Sequence, residues 1–291
     1  MRIGVVGHEG YSKLPGVLDL LERLAPELGF ELIFEPRLRA GSTPELASST
    51  DIDALLTLGG DGTLLRGTKL LDARSVPILG VNLGRLGFLT SCSASDMESA
   101  LRRFHSGDFV AEPRMTLTAS TDGGAGMAPG PDEWLALNDF VLHKGGFARV
   151  VRMAISIDGE QIGAYAADGI VIATPTGSTA YSLSAGGPIV APRLESIVIT
   201  PISAHTLGVR PLVVHPEAVI MLQAEGGPDE LLLTVDGQGG TQLARGERLT
   251  VRRSNTRIQL VRFPPDSYFS RIREKLGWGG LKERDGSGDA E

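Results

Sequence analysis

Apolar and polar residues divide this chain into two regions of different period. In the first, short apolar runs alternate with stretches whose apolar positions recur at spacings of three and four. Residues 2–7 (RIGVVG), 30–34, 54–58 and 76–81 (VPILGV) read as buried strands. Leu14, Val17, Leu18, Leu21, Leu24, Ala25 and Leu28 mark one helix face, closed by Gly29. Thr43-Pro44 predicts the cap and first-turn proline of a short helix. Leu64, Leu65, Thr68 and Leu71 predict another helix, and Ser95-Asp96-Met97-Glu98 reads as a capping box opening a helix that Gly107 ends. Strands alternating with helices predict an open, mostly parallel sheet, with ligands beyond the carboxyl ends of its strands.

From about residue 113 the period shortens to two. Val151, Met153, Ile155 and Ile157 alternate with Arg152, Ala154 and Ser156. Further strands are predicted near 115–120, 134–142, 169–174, 196–200, 217–224, 231–235, 247–253 and 257–263, with Asp158-Gly159 as a turn. The fold class is therefore α/β: an N-terminal open parallel-sheet (Rossmann-like) domain over 1–108, and a β-rich, sandwich-like second domain over 109–265. Residues 267–276 predict a last helix with Phe269, Ile272 and Leu276 on one face and Trp278 beyond. A helix this short persists only by burying that face, so segment 266–280 is expected to fold back onto the first domain. Residues 121–131 read as a surface loop and 281–291 as a disordered tail.

Composition narrows the partners. The chain has 291 residues, enough for two domains, and a net charge of −7, so no general basic field exists to hold nucleic acid or an anionic membrane. Cys92 is the only cysteine, which excludes an internal disulfide and a cysteine-based zinc cage. The N-terminus enters a strand pattern at once, and no apolar run reaches membrane-spanning length. A soluble, cytoplasmic protein is the expectation.

Two stretches carry candidate chemistry. In LLTLGGDGT (55–63), Gly59, Gly60, Gly62 and Thr63 surround Asp61 where a strand runs into a helix. Glycines there admit a ligand, and helix-start amides with the positive dipole end suit phosphate. A carboxylate among phosphates points instead to a hydroxyl, a metal ion or a transferred proton. The alternative is a tight turn with an Asp cap. In DGIVIATPTGSTAYSLSAGGP (168–188), a strand leads into a dense run of hydroxyls and glycines, suited to a polyhydroxylated or phosphorylated ligand, with Tyr181 available for a planar base. Here the alternative is a polar turn between strands.

Taken in order, GGDGT (59–63), NLGRLGFLT (82–90), LND (137–139), the 168–188 run, TPISAHTLGVRPLVV (200–214), DGQ (236–238) and YFSRIREKLGWGG (268–280) closely resemble the NAD kinase family. The resemblance implies transfer of the ATP γ-phosphoryl group to the 2′-hydroxyl of the adenosine ribose of NAD. It makes Asp61 the acid that accepts or orients the hydroxyl proton, and has Gly62 place its amide on phosphate. Asn138, Asp139, Asp168, Thr179, Ala180, Tyr181, Ser182, Leu183, Ser184 and Gln238 match its dinucleotide contacts. Arg149 stands where members carry a basic or His contact; a solvated strand-end Arg is the alternative. Asp139 replaces the usual Glu, one methylene longer, and Ala166 stands where some members have Arg. The resemblance also implies Mg²⁺ carried in with ATP, NAD and ATP as substrates, and a homo-oligomer. Two other readings share part of the pattern. A diacylglycerol-type lipid kinase shares GGDGT, but no basic amphipathic helix is present to reach a bilayer. A non-catalytic NADP(H) sensor would need the 168–188 run but not Asp61.

Overall fold

The computed structural model describes residues 1–38, 46–47, 50–71, 74–85, 87–122, 133–145, 150–205, 208–226, 230–244 and 246–278. The helix expected at Thr43-Pro44, most of the 121–131 loop, Arg149 and the tail 281–291 lie outside the described residues.

Strands β1 (Arg2–Gly7), β2 (Glu31–Phe34), β3 (Ala54–Gly59) and β4 (Pro77–Asn82) pair in parallel in the order β2-β1-β3-β4. The short β5 (Cys92–Ser93) continues this sheet beside β4. Alternate residues of each strand face opposite sides, so both faces need cover. Helices α1 (Leu14–Glu27) and α3 (Met97–His105) bury the side bearing Val5, Leu56, Leu58 and Val81. Helix α2 (Asp61–Lys69) covers the other, with Leu64 and Leu65 against Val6, Leu55 and Ile78. The expected α1 face is wholly buried, and Gly29 closes the helix at φ +62 while Phe30 N donates to Ala25 O. The capping box at 95–98 does not form. Residues Ala94–Asp96 make a 3-10 turn, and Ser93 Oγ takes the Asp96 carboxylate that would otherwise cap α3.

The second region contains β6 (Val110–Thr121), β7 (Trp134–Ala136), β8 (Asp139–Lys144), β9 (Val151–Ile157), β10 (Glu160–Ala167) and β11 (Gly169–Ala173). The one-turn α4 (Tyr181–Ser184) follows, then β12 (Ile197–Ile202), β13 (Leu212–Val214), β14 (Ile220–Gly226), β15 (Glu230–Val235), β16 (Gly239–Ala244) and β17 (Arg248–Arg262). One antiparallel sheet runs β13-β12-β11-β8-β15-β16 and packs on a layer built from β10, β9, β14, β17 and β6. Phe140, Ile170, Ile172 and Leu233 of one layer meet Met153, Ile155, Leu222 and Val251 of the other. This is the expected sandwich. The β9–β10 turn holds Asp158 and Gly159 at φ +53 and +83, the hairpin conformation that Asp-Gly favours.

The strands expected at 247–253 and 257–263 are one. β17 absorbs an irregularity between Arg253 and Arg257 because β6 pairs along its whole length. β17 also joins the parallel strands of the first domain and one layer of the sandwich into a single continuous sheet: its start pairs with β14, while Gln259 and Leu260 run beside Pro77 and Ile78 of β4. The chain's return to the first domain therefore begins inside this strand, ahead of residue 265.

Helix α5 (Tyr268–Leu276) is capped by a reciprocal Ser267–Ser270 box and ends at Gly277, φ +67. Its packing corrects the expected face. Arg271 and Ile272 are buried, whereas Phe269 is 63% and Trp278 57% exposed. The inward stripe runs through Tyr268, Arg271, Ile272 and the half-buried Leu276, so Phe269 alone of the expected face turns outward, and Arg271, whose guanidinium reaches backbone carbonyls inside, takes the buried place beside Ile272. Tyr268 Oη donates to Val190 O of the second domain, and Lys275 lies over the Phe88 ring of the first, so α5 touches both.

Candidate active site

The end of β3 delivers the chain into α2 through Gly59 and Gly60. Gly59 has no room for a side chain, since a Cβ there would lie 2.1 Å from Thr63 Oγ1. Gly60 is the N-cap, and its carbonyl takes the amides of Thr63 (3.0 Å) and Leu64 (3.2 Å). The amides of Asp61 and Gly62 are left at the open, positive end of the helix. At the far end of the same turn of sheet, Arg66 of α2 forms an ion pair with the buried Glu35, which also accepts Gly7 N at 2.8 Å, so the helix is fixed against β1.

Asp61 is half-buried, and its carboxylate accepts three successive amides. Phe88 N donates to Oδ2 at 2.8 Å; Leu89 N and Thr90 N donate to Oδ1 at 3.0 and 3.4 Å. Gly87 makes this approach possible, because a Cβ there would lie 1.9 Å from Asp61 Oδ1. The carbonyls of the same loop face the other way. Arg262 donates to the carbonyls of Phe88 (2.9 Å), Leu89 (3.0 Å) and Thr90 (2.7 Å), and Arg271 to those of Gly87 (3.4 Å) and Thr90. Glu112 and Asp266 pair with these guanidinium groups. Burial, with Arg271 and Arg114 nearby, pushes Arg262 down to about 9. A cavity of about 480 Å³ lined by Phe88, Arg114, Arg262 and Arg271 lies on this guanidinium side of the loop; Asp61 does not line it.

The second domain meets the glycine turn through Gln238, whose Nε2 donates to Gly62 O. Asp236, two residues earlier at φ +53, accepts the amides of Leu137 (3.1 Å), Asn138 (2.7 Å) and Asp139 (3.1 Å). Burial raises the Asp236 carboxyl against the pull of those amides. Asp139, also buried, is pushed up to about 7 by burial and then by the Asp236 charge. The hydroxyl-rich run closes on the same loop: Thr174 N donates to Asn138 O (2.8 Å), Thr174 Oγ1 to Leu137 O (2.6 Å), and Gly177 lies flat on the Asn138 carbonyl, 2.1 Å from where its Cβ would be. Beyond it, Ser182 is buried and bonded to Thr200 Oγ1 at 2.8 Å, Thr179 Oγ1 reaches Thr176 O, Ala180 and Leu183 are half-buried, and Tyr181 and Ser184 face solvent.

Residues 59–63, Asn138, Asp139 and Gln238 are thus linked by contact, with Thr179–Ser184 following from the same turn. Asp168 stands apart. It precedes β11, whereas Asn138 and Thr174 flank the other end of that strand, about 20 Å away at the usual rise of about 3.3 Å per residue. There it forms an ion pair with Lys144 at 2.7 Å. Burial pushes the lone Cys92 thiol up to about 12, so it is no nucleophile. Among the described residues no group of three or more His, Cys, Asp or Glu could hold a metal ion.

Residues 42–109 match the family model "ATP-NAD kinase N-terminal domain" and residues 137–263 match "ATP-NAD kinase C-terminal domain". The chain belongs to the NAD kinase family. Among family members, the NAD kinase of Gemmatimonas aurantiaca is 56% identical over 98% of this chain and 99% of its own, and that of Moorella thermoacetica 44% identical over 98% and 92%. Two solved NAD kinase folds superpose on it. Yeast NADH kinase complexed with NADH has a TM-score of 0.85 at 27% identity, covering 96% of this chain and 88% of its own. The Archaeoglobus fulgidus NAD kinase in complex with ATP scores 0.74 at 29% identity, covering 95% and 99%. As in other NAD kinase family members, the chemistry expected here is phosphoryl transfer. Gly87 and Asp236 join the site through distant contacts that their own local sequence does not announce, although each lies in a motif shared with the NAD kinase family.

Proposed function

We propose that this chain transfers the γ-phosphoryl group of ATP to the 2′-hydroxyl of the adenosine ribose of NAD, with Asp61 taking the hydroxyl proton. The observation that carries the reading is the state of the Asp61 carboxylate. Oδ1 accepts two amides and Oδ2 only one, which leaves Oδ2 a lone pair for a substrate hydroxyl. Phosphoryl transfer needs little covalent help from the protein; it needs an oriented nucleophile and stabilised phosphate charge. Gly59, Gly60, Gly62 and Thr63 would receive phosphate at the positive end of α2, with Mg²⁺ entering as the ATP complex. Asn138, Asp139, Thr179, Ala180, Tyr181, Ser182, Leu183, Ser184 and Gln238 would hold the dinucleotide, and Arg149 stays a candidate contact.

Asp168 stands at the far end of β11, so as a dinucleotide contact near Asp61 it would come from a second copy of the chain, and a homo-oligomer is part of the proposal on that ground. Exposed Leu212 and Val213 on the edge strand β13 offer apolar surface for one. No described helix is long and apolar enough to cross a membrane, and the charge balance suits a cytoplasmic enzyme that binds no nucleic acid.

The test is purified protein with Mg-ATP and NAD, followed by NADP formation. Asp61→Asn is expected to lower kcat by about 10²-fold, with a stability loss of no more than about 1–3 kcal/mol from the one amide, Phe88 N, that would then face an NH2 group. Near-normal turnover by that variant would remove Asp61 from the chemistry. Binding of NADP(H) with no turnover by the unaltered protein would favour the sensor instead.

A further inference from the structure

The loop that holds Asp61 is itself held from behind. Three consecutive peptide groups each join a guanidinium to the Asp61 carboxylate. In the first, Gly87 O accepts from Arg271 while Phe88 N donates to Asp61. In the second, Phe88 O accepts from Arg262 while Leu89 N donates to Asp61. In the third, Leu89 O accepts from Arg262 while Thr90 N donates to Asp61. A peptide group polarised by a cation at its oxygen is a stronger and better-aligned donor at its nitrogen, and hydrogen bonds in such chains reinforce one another. Both guanidinium groups are buried, so solvent does little to screen them. Arg271 is anchored in turn by Asp266, through Nε and Nη2.

We infer that Arg271 and Arg262 are positioning residues, which set the orientation of the Asp61 carboxylate through the peptide groups of residues 87–90. Neither touches the reacting atoms. The C-terminal segment thereby completes the site: α5 carries Arg271 from a position 181 residues beyond Thr90. The inference rests on Asp61 as the proton acceptor. It adds that a misaligned acid costs turnover without costing substrate affinity, since none of the groups proposed to bind the nucleotides lies in the 87–90 loop or on α5.

Arg271→Met is expected to lower kcat by about 10-fold or more, with KM for ATP and for NAD held within about twofold. Arg271→Lys should recover part of the loss, because one ammonium can reach a carbonyl but cannot also grip Asp266 with two parallel bonds. In an Asp61→Asn background, measured at high enzyme concentration, Arg271→Met should change the residual rate by less than about twofold, since an effect relayed through Asp61 ends with it. If Arg271→Met folds poorly, Asp266→Asn tests the same link by loosening the anchor, with the same expected pattern. Near-normal kcat in these variants overturns the inference, as does a KM rise that accounts for the loss. A loss of undiminished size in the Asp61→Asn background overturns it too, by making the arginine's role independent of the acid. Should Asp61→Asn alone turn over normally, the reading of Asp61 falls first, an outcome read before any arginine is changed.

Discussion

Asp61 and Asp236 are built alike and placed differently. Each carboxylate accepts three consecutive backbone amides, two on Oδ1 and one on Oδ2: Phe88, Leu89 and Thr90 for Asp61; Leu137, Asn138 and Asp139 for Asp236. Asp61 is half-buried at the open end of a helix, and cations back its loop. Asp236 is 7% exposed; its charge falls on another buried carboxyl, Asp139, and the cation that acts on it is Lys69 rather than a guanidinium behind the loop. The amide nest is therefore not what makes an acid chemical. Access and the charge behind the loop decide whether the nest aims a carboxylate at a substrate or ties a loop to a turn.

The comparison breaks most visibly at Gly87. Gly87→Ala puts a methyl group where the Asp61 carboxylate now sits, so the loop or the acid must move. A fall in kcat of about 10²-fold is expected, comparable to losing the acid itself, because a misplaced general base contributes little. Steady-state assays of the folded variant decide it; near-normal turnover would mean that the 87–90 loop does not govern Asp61.

Asp236→Ala should fail in the opposite manner. It leaves three amides of the 137–139 loop without their acceptor, at about 1–3 kcal/mol for each buried group left unpaired, partly relieved by water. Urea denaturation should register a loss of about 2–4 kcal/mol, while kcat of the folded fraction falls less than in Asp61→Asn. Unchanged stability with abolished turnover would exchange the roles of the two acids.

Much of the fold is legible along the chain because it is local. The α1 face, the Gly29 stop, the Asp158-Gly159 hairpin and the strand-to-helix turn around Asp61 all follow from spacing within a dozen residues. What escapes is set by distant contact. Nothing near Gly87 says that a carboxylate 26 positions earlier needs the space of its missing side chain, and nothing near Asp236 says that it will bond to residues 97 to 99 positions back. The stripe of α5 is misread for a related reason. Apolarity selects Phe269, Ile272 and Leu276, and the last two do face inward, but a buried Arg271, with carbonyls waiting for it, shares that face and Phe269 is left outside. The merging of two expected strands into β17 likewise depends on a partner, β6, that local pattern cannot supply.

A finer probe of the second nest is pH. Asp139 carries its proton up to about pH 7 in the folded chain, against an ordinary value near 3.8, because burial and Asp236 disfavour the charge. The folded state then binds more protons than the unfolded one between these values. Stability is full below about pH 4, declines as pH rises through the window, and is lowest above about 7. The span is at most about 4 kcal/mol, at about 1.4 kcal/mol per unit, and belongs to the two carboxyls together. Asp139→Asn should flatten the profile, so that unfolding midpoints of the two proteins agree near pH 4 and diverge toward pH 8, where the variant is the more stable. Parallel profiles would mean that Asp139 is charged in the folded chain.

The smallest expected effect concerns the end of the site that chemistry does not reach. Tyr181 opens α4 just past the run that closes on Asn138, and at 46% exposure its ring is not part of the core. A half-exposed aromatic beside hydroxyls and glycines costs surface energy unless a ligand covers it, and a stacked ring contributes about 1 kcal/mol beyond simple burial. Tyr181→Ala should therefore leave the unfolding midpoint nearly unchanged and raise KM for NAD by about fivefold, with KM for ATP moving less. The asymmetry between substrates is what matters: the proposed phosphate contacts are backbone around Asp61, and the proposed base contact is a side chain. Equal shifts for both nucleotides would place Tyr181 outside the dinucleotide contacts and leave its exposure for a second copy of the chain to cover.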